Sequence, residues 1–226
     1  MTDSTDKTFL DVVYQRRSTR GYLDKSIPTD LLEKIFSIAQ QAPSNCNIQP
    51  WKVFVASGES RDRVREALIQ AETAGEPNTP DYPGPGKFAE EYRRRQVDCA
   101  VELYNAMGIA REDKEGRARA SLRNQQLFDA PHAAFIGMHN SFGPTVAVDV
   151  GMYAQTLMLT MTAFGIASCA QGSLRYRPQL VREILEIPDD INLLFGISFG
   201  YEDTSIAANT TRVGRDDISQ SVVFKS

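Results

Sequence analysis

Apolar positions recur along this chain at the spacing of amphipathic helices, with short apolar runs between them. The spacing predicts a first helix over residues 8–17 and a second over 29–42, whose apolar stripe repeats with the helical period. Thr29 is a suitable N-cap for the second helix, because its hydroxyl can accept a free backbone N–H. A third helix, with Ser60 as its cap, is predicted to run to about Gln70.

The rest of the chain continues with helices and short strands. Further helices are predicted over 88–105, after residue 117 to about 128, over 146–164 and over 178–185, with strands over 51–56, 133–138, 166–169 and 193–199. The charged run 111–117 is interpreted as a solvated connection. Because the strands do not alternate cleanly with the helices, the pattern favours an α+β fold over a doubly wound α/β fold.

The predicted helix over 146–164 differs from the others because it is apolar on nearly every side. It is rich in Met, Leu, Thr and Ala, with a single acidic residue near its start. A helix of this kind is typically buried on more than one side. In a chain of this length, a contact between two subunits is one explanation.

Composition narrows the class of protein. The 226 residues suit one domain, or one domain with a lobe, and the net charge of −4 argues against a nucleic-acid surface. No apolar run approaches the ~18 residues that a membrane span needs, so no membrane partner is expected. The start, residues 1–7, is polar and has no apolar core, so no secretory signal is expected.

Cysteine and histidine usage points to a reduced compartment and no metal. Cys46, Cys99 and Cys169 are odd in number and lack the spacing of a metal site, so reduced thiols in a cytoplasm are the simplest interpretation. The two histidines, His132 and His139, cannot build a histidine-rich site, and no nucleophile motif supports a catalytic triad on either.

Residues 43–51 form an unusual junction between the second helix and the strand after it. Pro43 and Pro50 fix the backbone φ angle at about −65° and remove two donors, so the loop is stiff. Its other hydrogen-bonding side chains are Ser44, Asn45, Asn47 and Gln49. They indicate a planar ligand with polar edges; the alternative is a turn whose side chains bond only to their own backbone.

Two basic segments stand far apart in the sequence. The segment Arg16–Arg20 holds three arginines and two hydroxyls at a helix end, and Arg212 and Arg215 lie in the polar tail. Arginine binds phosphate through two parallel hydrogen bonds, which lysine cannot copy. Each segment alone is also explained by the helix dipole or by solvation. Converging in space, they would make a strong anion site.

Two further segments could form a binding site. The run Ser168–Ser173 follows a strand, and its small residues would let a ligand approach the backbone closely. The alternative is a plain strand end, in which Gly172 is present only because the turn requires it. Prolines and glycines alternate over 73–86, which is typical of a lid or a binding loop. No dinucleotide fingerprint or Walker loop is present.

In their order and spacing, these segments resemble the FMN-dependent nitroreductase family. The family has Arg-x-Ser-x-Arg/Lys near the N-terminus, a Pro-Ser-x-x-Asn-x-Gln-Pro-Trp loop, a strand-end loop in the last third and a basic residue near the C-terminus. The corresponding segments here are Arg16–Arg20, Pro43–Trp51, Ser168–Ser173 and Arg212/Arg215. The resemblance covers roughly residues 9–224, and the stretch 108–117 and the Ala170–Gln171 loop look most like the nitrobenzoate reductases.

The resemblance implies a fold and an assembly. It implies one nitroreductase-like α+β domain over 1–226, with a central mixed or antiparallel sheet flanked by helices. The region of about 73–128 would be a lid and about 203–226 a C-terminal arm. Two copies would intertwine as a homodimer with two FMN molecules at their interface, and NADH or NADPH would be the co-substrate.

The resemblance also implies roles for individual residues. The cofactor-binding residues would be Arg16, Arg17, Ser18, Arg20, Pro43, Ser44, Asn45, Asn47, Ala170, Gln171, Gly172, Arg212 and Arg215. The arginines would hold the phosphate, residues 43–47 would come from the partner chain, and residues 170–172 would lie along the isoalloxazine ring. Many members have Pro-x-Glu-Gly where this chain has Ala-Gln-Gly-Ser, so the backbone donor to flavin N5 stays open between Gln171 and Gly172.

The implied activity is the NAD(P)H-dependent reduction of nitroaromatic or quinone compounds, by ping-pong hydride transfer through the flavin. No catalytic side chain is expected, and Tyr82, Phe88 and Tyr92 are the candidates to face the substrate. One alternative is a flavin enzyme with another task, such as reductive dehalogenation, enone reduction or flavin breakdown. Others are an FMN-binding protein without turnover and a protein that binds no flavin.

Overall fold

Seven α-helices and four strands form residues 7–225, the part of the chain that the computed structural model describes. The helices are α1 (Phe9–Gln15), α2 (Thr29–Ala39), α3 (Gly58–Thr73), α4 (Glu90–Ala106), α5 (Lys114–Leu122), α6 (Ala147–Ala163) and α7 (Pro178–Leu185). The strands are β1 (Trp51–Ser57), β2 (His132–His139), β3 (Ala167–Gln171) and β4 (Ile191–Gly200). Residues 1–6, most of the segment expected to lack a secretory signal, lie outside the described residues.

The four strands form one antiparallel sheet in the order β1-β2-β4-β3. In its register Val53 faces Ile136, and Ile136 faces Phe195 on the other side. The α+β prediction is confirmed, and of the two sheet types left open the antiparallel one is present. A parallel pairing occurs only at an isolated bridge between Ser18 and Ser168, within residues 7–225.

Each face of the sheet is covered by helices, because successive side chains of a strand point to opposite faces. On the central strand β2, Ala134 and Ile136 pack with the apolar sides of α2 and α6. Their neighbours Ala133 and Phe135 pack with α3 and α7. This explains why β2 is a continuous apolar run, as expected for a strand covered on both faces.

Helix α6 is buried on one side and exposed on another in the single chain. Val150, Leu157 and Met161 lie in the core beneath the sheet. On a different side Val148 is 61% exposed, and Gly151 is exposed one turn along. An apolar side chain with this exposure on a core helix marks a surface that a second molecule could cover.

Two predicted helix caps are wrong. Thr29 is the first residue of α2, and Pro28 precedes it without a side-chain cap. Helix α3 begins at Gly58, and the Ser60 hydroxyl accepts the N–H of Ser57 at 3.2 Å from within the first turn. Serine is favoured at a cap and within the first turn for the same hydrogen-bonding reason, so sequence alone does not separate the two positions.

The predicted connection over 111–117 is also wrong, because α5 starts inside it at Lys114. The side chain of Asp113 caps that helix by accepting the N–H of Gly116 at 2.8 Å. The helix ends at Leu122 rather than near Phe128. It is followed by a 3₁₀ turn over Leu127–Asp129 in which all three residues have positive φ angles. This left-handed conformation is rare for residues other than glycine, and nothing in the local sequence predicted it.

Candidate functional site

The first arginine segment is positioned by the edge of the sheet. After α1 ends at Gln15, residues 16–20 run beside β3, and the Thr19 N–H donates to the Ser168 carbonyl at 3.0 Å. Thr19 is buried, whereas the residues on either side of it are partly exposed. The backbone pairing therefore holds Arg16, Arg17 and Arg20 in a row along the edge strand.

The second basic segment is fastened to the first by one buried side chain. The Oδ1 atom of Asn209 accepts the Arg20 N–H at 2.6 Å, and its Nδ2 atom donates to the carbonyls of Gly21 and Asp203, each at 2.9 Å. Asn209 lies in a 3₁₀ turn directly before Arg212. A satisfied buried amide of this kind fixes the two segments relative to one another.

The two basic segments meet in a cleft of about 1170 Å³ beside β3 and the end of α6. Its cationic lining residues are Lys7, Arg16, Arg17, Arg20, Arg212 and Arg215. Against these six cations, one carboxylate lines the cleft within residues 7–225, that of Glu202. Glu202 pairs with Arg17, and Arg16 has no carboxylate partner among the described residues. The cleft is therefore strongly electropositive in a chain of net negative charge.

Several polar groups at the cleft lack a partner within the described residues. The hydroxyl oxygens of Ser168 and Thr211 are buried and make no hydrogen bond there. The guanidiniums of Arg212 and Arg215 bond only to nearby backbone carbonyls of their own segment. Buried polar groups are normally paired, so two orphaned hydroxyls beside free cations indicate a bound anion with several acceptor atoms.

Cys169 lies under the arginine row and is suited to packing rather than to nucleophilic chemistry. Burial raises the pKa of its thiol, although Arg20 and Ser18 oppose the shift. A protonated buried thiol behaves as a small apolar side chain. Cys99, on α4, lines the cleft itself and brings that helix to the rim of the site.

The loop over 43–51 lies outside this cleft and presents its amides to solvent. Asn45 and Asn47 have exposed side chains, and the backbone N–H of Asn45 donates to the Asp149 carboxylate at 3.1 Å. The Ser44 hydroxyl accepts the N–H of Gln49 at 3.0 Å, so that hydroxyl serves the loop. Pro43 is exposed as well. The loop is thus stiff and carries exposed amides.

Trp51, at the end of this loop, belongs to the core. Its ring stacks on Tyr153 with the centroids 4.8 Å apart, and its indole N–H donates to Gln40 at 2.8 Å. Cys46, Asn47 and Gln49 have positive φ angles. Strained backbone of this kind persists only where the surroundings hold it, which Trp51 and Asp149 do here.

The run 168–173 was expected to follow a strand, but residues 168–171 belong to β3 itself and a 3₁₀ helix starts at Gly172. Ser168 lines the cleft, whereas residues 170–172 lie next to the lining along β3. The amide of Gln171 is buried, where it donates to the Asn124 carbonyl at 2.9 Å and accepts a hydrogen bond from the Ser198 hydroxyl. The Gln171 side chain is thereby fully used inside the protein. Ala170 and Gly172 on either side are exposed, so this loop offers a ligand its backbone.

Of the three aromatic candidates for the substrate, Tyr82 and Phe88 lie between α3 and α4, and Tyr92 lies in the first turn of α4. Tyr82 packs against the core, whereas Phe88 and Tyr92 are largely exposed. A smaller cavity of about 200 Å³ shares Arg20 with the cleft and is lined in addition by Arg123 and other residues. Sequence reasoning missed Arg123, because it is a single arginine among uncharged residues and belongs to no recognisable motif.

The fold and the cleft together define an α+β protein that can hold an anionic ligand at the edge of its sheet. The family model described as "Nitroreductase family" matches residues 13–201, which is most of the chain. The chain therefore belongs to the nitroreductase family.

Several relatives are similar over nearly their whole length. Nitroreductase NfnB of Mycolicibacterium smegmatis is 40% identical over 92% of this chain and 89% of its own, and a 4-nitrobenzoate reductase of Nocardioides sp. is 32% identical over 96% and 90%. Among solved structures, the FMN-dependent NfnB of Mycobacterium smegmatis in complex with NADPH aligns with a TM-score of 0.91 at 38% identity, covering 95% of this chain and 96% of that one.

A second solved structure supports the same fold. It is the FMN- and NADPH-dependent nitroreductase NfnB of Sphigopyxis sp. strain HMH, which aligns with a TM-score of 0.94 at 31% identity over 97% of this chain and all of that one. Within residues 7–225, no helix has the length and apolarity that a membrane crossing requires.

Proposed function

We propose that this chain is an FMN-dependent oxidoreductase that uses NADPH or NADH to reduce nitroaromatic compounds. The observation that carries the proposal is the composition of the cleft: it is lined by six cationic side chains, two residues with unpaired buried hydroxyls and one carboxylate. A phosphate monoester matches this donor set, because it offers several acceptor oxygens and about two negative charges. The relatives named above are described as reductases of this kind.

The chain's own residues would divide the work of binding FMN. Arg16, Arg20 and Arg215 would hold the phosphate, with Arg212 as a helper, and Arg17 and Ser18 would reach the phosphate or the ring edge. The exposed backbone at 170–172 would lie along the isoalloxazine ring and direct one N–H at N5. When bound, FMN supplies the ring that accepts hydride from the nicotinamide and passes electrons to the oxidant.

Electrostatics are the protein's main contribution to this chemistry. Cations and backbone donors fixed before the reaction favour negative charge at the ligand without reorganising during it. No side-chain acid or base is required. The buried amide of Gln171 would keep the neighbouring backbone in place by its bonds to Asn124 and Ser198.

We also propose that the active form is an intertwined homodimer with two equivalent sites. The amides of Asn45 and Asn47 lie outside the cleft of their own chain and are exposed, which suits a contribution to the partner's site. The exposed apolar side chains of Val148 on α6 and Phe224 near the C-terminus would be covered by the second copy. The loop 43–47 and the cleft would then meet across the interface.

The organisation and location of the enzyme complete the proposal. Residues 1–226 would form one nitroreductase-like domain, with about 73–128 as a lid and about 203–226 as the C-terminal arm. Quinones would be alternative oxidants, because they are also flat and accept electron pairs. A cytoplasmic location is supported by the three cysteines, none of which forms a disulfide within the described residues.

A direct assay tests this function. The purified protein should be yellow and, in the absence of oxygen, should turn over NADPH or NADH only when a nitroaromatic or quinone acceptor is supplied. Initial rates measured against both substrates should give the parallel double-reciprocal lines of a ping-pong cycle. A protein that binds FMN but turns over no such acceptor would overturn the proposal.

A further inference from the structure

The loop between α3 and α4, residues 74–89, is fastened to the body of the protein along its first part. Arg177, which is 5% exposed, contacts the start of this loop. Its Nη1 atom pairs with the Glu72 carboxylate at 2.7 Å, and its Nη2 atom donates to the Glu76 carbonyl at 2.8 Å. Charge-assisted hydrogen bonds to a backbone carbonyl fix that carbonyl in place.

A second anchor holds the middle of the loop. The Oδ2 atom of Asp81 accepts a hydrogen bond from Arg182 at 2.6 Å and another from the Leu193 N–H at 2.7 Å. Arg182 also donates to the Ile191 carbonyl at 2.8 Å. The side chains of Arg182 and Asp81 are 9% and 12% exposed. Breaking such a pair would leave a buried charge without a partner, so this point of the loop is firmly held.

The third anchor is Arg175, and it connects the loop to the candidate flavin site. Its Nη1 atom donates to the carbonyls of Tyr82 at 3.1 Å and Pro83 at 3.2 Å. Arg175 is the last residue of the 3₁₀ helix that begins at Gly172, where the segment proposed to lie along the flavin ring ends. Arg175 therefore connects the 3₁₀ helix that follows the proposed flavin segment to the backbone of Tyr82.

Beyond this anchor the loop is no longer held. From Gly84 to Phe88 the described residues make no hydrogen bond, and Gly86 has a positive φ angle. Helix α4 starts immediately afterwards, at Glu90. Tyr82 therefore lies at the last fixed point of the loop, beside the part that is free to move with α4.

We propose that Arg175 is a positioning residue for the substrate site, which holds Tyr82 as a fixed wall beside the flavin segment. The proposal rests on the proposed function, from which it takes the flavin segment, and on the expectation that Tyr82 is one of the aromatic residues that face the substrate. The ligand that suits such a wall is a flat aromatic ring, which can stack on the phenol or meet it edge to face. Arg175 itself bonds to backbone carbonyls and need not contact the substrate.

The size of the effect follows from the population of the held loop. Removing the two hydrogen bonds of Arg175 lowers the equilibrium constant between the held and the released loop by about 5- to 30-fold. The apparent affinity follows the fraction of molecules in which Tyr82 is in place, so it falls by at most this factor. We expect the KM for a nitroaromatic substrate to rise by up to about this factor, with kcat changed less than about twofold.

The experiment compares three variants of the FMN-loaded protein. Arg175→Met keeps the apolar stem and removes the donors, and Arg175→Lys keeps one cationic donor. Arg63→Met removes an exposed arginine of α3, outside the proposed lid, and serves as the control. We expect a raised KM in Arg175→Met, partial recovery in Arg175→Lys, and wild-type KM in the control, with the same FMN content in all.

Hydrogen exchange gives a readout that does not depend on turnover. The Thr79 amide, which donates to the Tyr176 carbonyl at 2.8 Å, should exchange faster in Arg175→Met than in the wild type, with or without FMN, and the amides of α7 should not change. Unchanged KM and unchanged exchange in Arg175→Met would overturn the proposal. Loss of FMN in proportion to the rise in KM would overturn it too, because Arg175 would then support the flavin segment instead.

Failure of the proposed function would look different. A wild-type protein that reduces no nitroaromatic or quinone acceptor would end the substrate role of Arg175 together with that function. A wild-type protein that is active, beside an Arg175→Met variant with unaltered kinetics, would reject only the role of Arg175.

Discussion

Arg16 gives the sharpest single-residue test of the anion site. It lines the cleft and has no carboxylate partner among residues 7–225, so Arg16→Met removes a guanidinium without breaking an ion pair inside the protein. Hydrogen bonds from a charged group are worth about 1.5–3 kcal/mol net, so the dissociation constant for FMN should rise roughly 10- to 150-fold. The apoprotein should not lose stability, because Arg16 lies among like charges.

The assay is a fluorescence titration of the flavin-free protein with FMN and, separately, with riboflavin. Riboflavin carries the same ring system without the phosphate, so its affinity should stay within about twofold in Arg16→Met. Arg63→Met, at an exposed position on α3, is the matched control and should change neither affinity. Equal losses for both flavins, or an unchanged FMN affinity, would refute the assignment of Arg16 to the phosphate.

Three further predictions concern stability and assembly. His132 accepts the Ile27 N–H at 3.1 Å, and burial lowers the pKa of its imidazole. The unfolded state therefore takes up a proton at a higher pH than the folded state, so the free energy of unfolding should fall as the pH drops below about 6.5. His132→Asn should flatten this loss in urea unfolding series at several pH values. Gly137→Ala would place a Cβ atom 2.3 Å from the Asn192 carbonyl oxygen, so the free energy of unfolding should fall by about 1–3 kcal/mol. Urea unfolding at constant pH measures this change, and an unaltered midpoint would contradict the close approach of the two strands at this point. Val148→Arg should give a monomer without flavin in sedimentation velocity, and a yellow dimer would exclude α6 from the interface.

The sequence predicted a helix or strand correctly where residues at its own ends determine where it starts and stops. Helix α7 runs over Pro178–Leu185, as predicted, because proline suits a first turn and the residue after the helix, Glu186, takes a left-handed conformation that ends it. The start of α3 was misplaced, because Ser57 and Ser60 are both suitable near a helix start. Lys114 was assigned to a connection because a charged run looks the same on an exposed helix and in a loop.

The geometry of the site depended on contacts that no local pattern carries. The two arginine segments meet because Ser18 pairs with Ser168 and because Asn209 is buried between them. The sequence of the two segments is compatible with their lying side by side, but it does not by itself predict that they do. The buried position of the Gln171 amide was not foreseeable either, since its partners Asn124 and Ser198 lie on other elements.

The shared site is tested most directly by mixing two defective proteins. One would carry Arg16→Met and Arg215→Met in the cleft, and the other Asn45→Ala and Asn47→Gly in the exposed loop, where glycine tolerates the positive φ angle of Asn47. If each site combines the cleft of one copy with the loop of the other, unfolding and refolding the mixture should restore about one quarter of the wild-type FMN content, because half of the random dimers are mixed and each holds one intact site. A mixture that binds no more FMN than the two variants bind separately would contradict the account.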